Sequence, residues 1–137
     1  MPANTQTITS KIGIIYSDIP NNFNKAPFTD DLAKVVNENS VKQSIKNICK
    51  TILGERPYDN TIGQAADYSL FGLNNALTQT VITQALTDAL KLEPRAKIAN
   101  ILVDAESSLN AVQISIYFTI INNPNLLSVQ IVLDRVR

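Results

Sequence analysis

Histidine and tryptophan are absent from this chain of 137 residues, cysteine occurs once, and the formal net charge is zero. Without His the chain loses the commonest general base and the commonest metal-binding side chain together. A Cys/His zinc site and a Ser-His-Asp triad are both excluded. With Cys49 alone, no intrachain disulfide can form. Cys49 stands beside the apolar stripe of a predicted helix and reads as a small core filler rather than a reactive thiol. Twelve basic side chains against twelve acidic ones make no electrostatic case for non-specific nucleic-acid binding. No stretch approaches the roughly 20 apolar residues that span a bilayer. The start, Met1-Pro2-Ala3-Asn4-Thr5, lacks the basic opening and apolar run of a signal peptide. The sequence thus calls for no cofactor, no nucleic acid and no membrane.

What is present suits one domain with one core, at an ordinary 45% hydrophobic content. Residues 1–10 are polar and Thr-rich and read as a flexible N-terminal arm; residues 11–137 read as a single domain. Lys11-Ile12-Gly13-Ile14-Ile15-Tyr16 could pair as a strand before the Asn-rich loop Asn21-Asn22-Phe23-Asn24. Residues 25–39 are ambiguous between a turn and a short strand at Leu32, Val35 and Val36. A first helix is predicted from Asn39 or Ser40, with Val41, Ile45, Ile48, Ile52 and Leu53 at helical spacing and Gly54 closing it. A second is predicted from about Asn75 to Leu92, with a stripe of Leu77, Val81, Ala85, Leu86, Ala89 and Leu90.

The tail reads as β. Strands are expected over 97–104, 111–121 and 127–136, with Asn122-Asn123-Pro124-Asn125 as the turn between the last two. Short connections favour an antiparallel three-strand meander, covered on one face by the two helices. The expected class is α+β in two layers. A strand over Leu127–Val136 would be lightly protected as a sheet edge, because its charges, Asp134 and Arg135, sit near its end.

Between helix and meander stands Glu93-Pro94-Arg95. Pro94 has no amide proton and disfavours the helical region for Glu93, so the helix should stop near Leu92. A carboxylate and a guanidinium then flank a rigid corner. The alternatives for the pair are an intrachain ion pair and an intersubunit contact, for which an Arg fork is well suited.

The ordered set Tyr16-Ser17-Asp18-Ile19, Ile45-Lys46-Asn47-Ile48, Gly54-Glu55-Arg56-Pro57-Tyr58, Gly63, Leu70-Phe71 and Glu93-Pro94-Arg95, followed by three strands, is specific by order and spacing. It resembles the baseplate wedge and sheath-initiator family of contractile-tailed phages, a family with lysozyme-like members and a relative in the type VI secretion baseplate. The resemblance runs from about residue 11 to the C-terminus. It implies a structural virion component, assembled in the host cytoplasm, whose partners are other baseplate wedge proteins and the tail sheath protein. Carried onto this chain, the wedge contact would be Glu93, Pro94 and Arg95, with Glu55 and Arg56 as a possible extension. The sheath contact would be the strands at 111–121 and 127–136, with Gln130 and Ile131 marking strand pairing. Ala96 departs from the larger aliphatic residues common after the corner.

Two other functions compete. A lysozyme-like glycosidase would need two facing carboxyl groups, one with a raised pKa; the candidates are Glu55, Glu93, Asp104 and Glu106. No Trp and only four Tyr and four Phe are available to stack on sugar rings. A relative repurposed as a soluble protein-binding regulator would use the same fold.

Overall fold

The computed structural model describes residues 15–70, 76–104 and 111–134. The predicted arm at 1–10, most of the segment 11–16, Glu106 and the positions after Asp134 lie outside the described residues. The elements are β1 (Ser17–Asp18), β2 (Val35–Val36), α1 (Asn37–Lys50), α2 (Asp67–Leu70), α3 (Ala76–Leu90), β3 (Ala96–Asp104), β4 (Ala111–Ile120) and β5 (Asn123–Asp134). Strands β1 and β2 form a small antiparallel pair, and β3-β4-β5 form an antiparallel meander in that order. The fold is α+β, as the sequence predicts.

Strict alternation along β4 places Val112, Ile114, Ile116, Phe118 and Ile120 in the core, while Gln113, Ser115, Tyr117 and Thr119 face away from it. Val129, Ile131 and Leu133 of β5 continue the buried face. Helix α1 lies against β5 and α3 against β3, and the two helices meet over the sheet. Val41, Ile45 and Cys49 of α1 and Ile82, Leu86 and Leu90 of α3 complete the core. Cys49 is fully buried, and desolvation pushes its thiol up to about 12, as suits a core filler.

Several boundaries differ from the sequence reading. Helix α1 starts at Asn37, with Val36 as N-cap and no side-chain cap. Asn37 is itself left-handed, at φ 48°, and its Oδ1 accepts the Ile15 and Tyr16 amides at 2.9 and 3.3 Å. The expected caps are thus inside the helix, and Ser40 is buried. Helix α1 ends at Lys50, so Gly54 closes a turn beyond it rather than capping it. On α3 the inward residue of the second turn is Ile82; Leu77 and Val81 are exposed. The last hairpin turns at Ile121-Asn122, and Asn123, Pro124 and Asn125 belong to β5 across a register shift.

Candidate contact surfaces

The corner after α3 is built from inside the chain. The chain leaves the helix through backbone bonds from Leu92 N–H to Ala89 O and from Glu93 N–H to Leu90 O. Pro94 cannot donate, so the turn tightens there and sends Glu93 inward. Glu93 is 4% exposed. Arg95 Nε donates to Glu93 Oε1 at 2.6 Å and Nη2 to Oε2 at 2.8 Å, a bidentate pair. The Arg95 amide adds a bond to Oε1 at 3.3 Å, and Ser44 Oγ, from α1, donates to Oε2. The other side of the guanidinium lies over the Tyr16 ring, 5.6 Å from its centroid.

Burial would raise the Glu93 carboxyl, but the bonds from Arg95 and Ser44 outweigh it and hold the group below the usual carboxylate range. The Glu93 bond raises the Arg95 pKa in turn, against a smaller desolvation effect. Glu93 is therefore an ionised structural residue that locks helix, strand and α1 together. Arg95 keeps its side chain 28% exposed, and its Nη1 group has no hydrogen-bond partner among the described residues. The pair is intrachain, with one edge of the Arg fork left to face outward.

Of Glu55 and Arg56, only Arg56 comes near this stretch of α1. Glu55 Oε2 accepts the Ile52 amide at 3.0 Å and so fastens its own loop. Arg56 lines a cleft of about 380 Å³ with Asp18, Ser44, Asn47, Asp59 and Leu92. Ser44 is shared with the Glu93 lock, so Arg56 and Arg95 flank one stretch of α1. Sequence reasoning missed Ser44 and Tyr16 as parts of the corner. Ser44 could have been found from its place on α1, one residue before the core position Ile45.

The second surface is the outer edge of β5. The Ile121 amide donates to Arg95 O at 3.2 Å, which sets the alternation of the ladder. Odd-numbered residues of β4 turn their peptide groups to β3, and even-numbered ones to β5. The two-residue hairpin closed by Ile120 and Asn123 agrees, since such loops close on a hydrogen-bonded pair. Phe118, Ile116, Ile114 and Val112 face Leu127, Val129, Ile131 and Leu133. Those β5 residues bond inward. Ser128, Gln130, Val132 and Asp134 therefore point their amides and carbonyls out from the sheet. Gln130 carries an exposed side chain and an outward peptide; Ile131 is buried with its peptide in the domain's own ladder. The bulge at Ala99 lies on β3, so it leaves the phase of β4 intact.

Two of the carboxylate candidates, Glu93 and Asp104, do not assemble for hydrolysis. Glu93 precedes β3 and Asp104 ends it, so the strand holds them on the order of 25 Å apart at about 3.3 Å per residue. Paired catalytic carboxyls stand about 5–9.5 Å apart. Glu93 is also shifted downward, opposite to a general acid. Glu106 lies outside the described residues. Among the described residues no cluster could hold a metal ion, and no helix is long and apolar enough to cross a membrane.

Among the described residues, the fold thus sets out an ion-paired corner and a sheet edge at β5 over a closed core. Residues 35–125 match the family model for "Baseplate wedge protein gp25", and the chain belongs to that family. Membership gives it a structural role in a baseplate. Two solved structures share the fold. A candidate tail lysozyme from Geobacter sulfurreducens superposes with a TM-score of 0.66 at 20% identity, over 73% of this chain and 92% of that one. A chain of the anti-feeding prophage baseplate superposes with a TM-score of 0.60 at 15% identity, over 89% and 87%. No curated protein matches the sequence.

Proposed function

We propose that this chain is a wedge subunit of a contractile phage tail baseplate and nucleates the sheath by strand addition to the outer edge of β5. It joins the wedge through the Arg95 corner, with Arg56 beside it, and acts in the virion after assembly in the host cytoplasm. Its partners are then the other wedge proteins and the tail sheath protein, and it performs no catalysis.

The observation that carries this reading is the outward row of peptide groups at Ser128, Gln130 and Val132. These groups are unused by the meander, and no charged side chain guards the strand before Asp134. Edges of that kind pair with extended segments of other chains unless they are protected. The corner complements it: Glu93 fixes Arg95 in one orientation, and a pre-set planar donor loses less entropy on docking.

Amide hydrogen exchange tests the assignment. In the free protein the amides of Ser128, Gln130 and Val132 should exchange fast and those of Val129, Ile131 and Leu133 slowly. Added sheath protein should slow the first set. Protection confined to other elements would contradict β5 as the pairing edge.

A further inference from the structure

Helix α1 carries a row of charge that neither the corner nor the core uses. Lys42, Lys46 and Lys50 recur every fourth residue, so they stand one above another on one flank. None of the three forms an ion pair among the described residues. Lys46 and Lys50 are exposed and Lys42 is half-buried. The one acidic residue of the helix, Glu38, accepts a bond from Asn123 Nδ2 at the start of β5.

The phase of the helix fixes which way that flank faces. With Ile45 as the centre of the buried face, Ser44 lies about 100° to one side, and Lys42 and Lys46 lie about 60° and 100° to the other. Ser44 turns toward Glu93, which follows α3. Because α3 lies against β3 and α1 against β5, the lysine flank turns away from α3 and over the outer edge of β5. A strand added to β5 stands roughly 4.8 Å beyond it, beneath that flank. Successive lysines are about 6 Å apart along the axis, four residues at 1.5 Å each. Alternate residues of an extended strand are about 6.6 Å apart. One face of an added strand therefore matches the lysine row position for position.

We propose that the segment added to β5 is acidic: an extended stretch of the sheath protein with Asp or Glu at alternate positions, whose carboxylates on the helix side meet Lys42, Lys46 and Lys50. This names the chemistry of the partner for strand addition at β5 and rests on that reading. Charge selects the occupant. Between Glu38 at the start of α1 and Asp134 at the end of β5, the two elements carry three positive side chains and no negative one. Opposite charge steers the encounter and fixes register, and like charge is penalised. The same row disfavours a second copy. Antiparallel pairing of two β5 edges brings two α1 flanks together, lysine against lysine. The row thus guards the edge against self-pairing and leaves it open to an acidic strand.

The test measures binding of the purified sheath protein of the same tail to the full chain, to Lys42→Glu/Lys46→Glu and to Lys42→Arg/Lys46→Arg, in low and high salt. Amide exchange of β5 is read alongside. The expected result is an affinity about tenfold or more lower for the Glu variant in low salt, a difference that shrinks in high salt, and wild-type affinity for the Arg variant. Each variant should keep the wild-type Tm. A carbodiimide, which joins an amine directly to a touching carboxylate, should link Lys42 or Lys46 to an Asp or Glu of the sheath protein. Equal affinity of the Glu variant and wild type in low salt overturns the proposal. So does a carbodiimide link formed only between two copies of this chain. So does unchanged sheath binding by a Glu variant that has lost binding to phosphatidylglycerol vesicles. If the Glu variant melts lower, Lys42→Gln/Lys46→Gln replaces it, and equal affinity of that variant overturns the proposal in the same way. Absence of sheath-induced protection at Ser128, Gln130 and Val132 in the wild type contradicts strand addition at β5 and this inference with it. Protection there that is indifferent to the lysine charges contradicts this inference alone.

Discussion

Glu93 shows how one residue can be structural and still prepare a contact. A buried carboxylate without partners would neutralise or unfold its surroundings. Here Arg95 and Ser44 keep it charged, and it contributes to stability only while ionised. Its folded-state pKa is lowered, so that contribution is complete above the ordinary range, about pH 4.3 for Glu, and is lost as pH falls through the lower folded value. The Tm difference between wild type and Glu93→Gln should therefore be largest near neutral pH and close on acidification. Arg95→Ala leaves the carboxylate buried and should cost about 3 kcal/mol, the lower end for a buried pair because Arg95 is 28% exposed. The double variant Glu93→Gln/Arg95→Ala removes both charges and should recover much of that loss in urea unfolding. If Arg95 contacts the wedge, the recovered double variant still fails to pull down wedge proteins. Normal pull-down by a stably folded double variant would mean that the pair serves only its own domain.

At the scale of elements, one glycine governs the loop that carries Glu55 and Arg56. Gly63 sits at φ 131°, and a Cβ there would stand 2.7 Å from Thr51 O and 2.8 Å from Ile52 C. The close approach is made by the bonds from Gln64 N–H to Thr51 O and from Leu53 N–H to Gln64 O, both 2.9 Å, which close the loop against the end of α1. Gly63→Ala should cost about 1–3 kcal/mol or more, because backbone clash adds to the strained φ. A melting temperature within a degree of wild type would show that the loop relaxes freely. Gly63 was legible as a motif position but not as a close approach, since that depends on where α1 stops. The strands were the most legible elements: alternation over 111–120 is strict because one face is core. The phase of α3 was not, because Val81 and Ile82 are interchangeable in composition and only the sheet beneath decides which turns inward. The start of α1 was hidden because the Asn37 side chain serves the preceding segment, and Asn39 and Ser40 merely looked like caps. Asn122-Asn123-Pro124-Asn125 carries the composition of a turn, yet Pro124 lies in β5, an edge strand, where Pro is allowed.

For the whole molecule, the sequence carried the two-layer class and the ordered motifs that resemble the baseplate family. It did not carry strand order, and therefore not the open edge. Nor did it carry the fate of the Glu-Pro-Arg corner, because an exposed contact and an internal lock use the same residues. The structure joins them: Glu93 turns in and Arg95 partly out, while Gln130 faces outward from the far strand of the meander. The outward peptide also resolves which proline substitution is informative. Gln130→Pro removes an amide that the meander does not use; Ile131→Pro removes one from its own ladder and should lower the melting temperature. Electron microscopy of particles assembled with Gln130→Pro, beside the melting temperature of the purified variant, is the most direct measurement. The account predicts a folded domain, complete baseplates and no sheath. Normally sheathed tails carrying folded Gln130→Pro would contradict it.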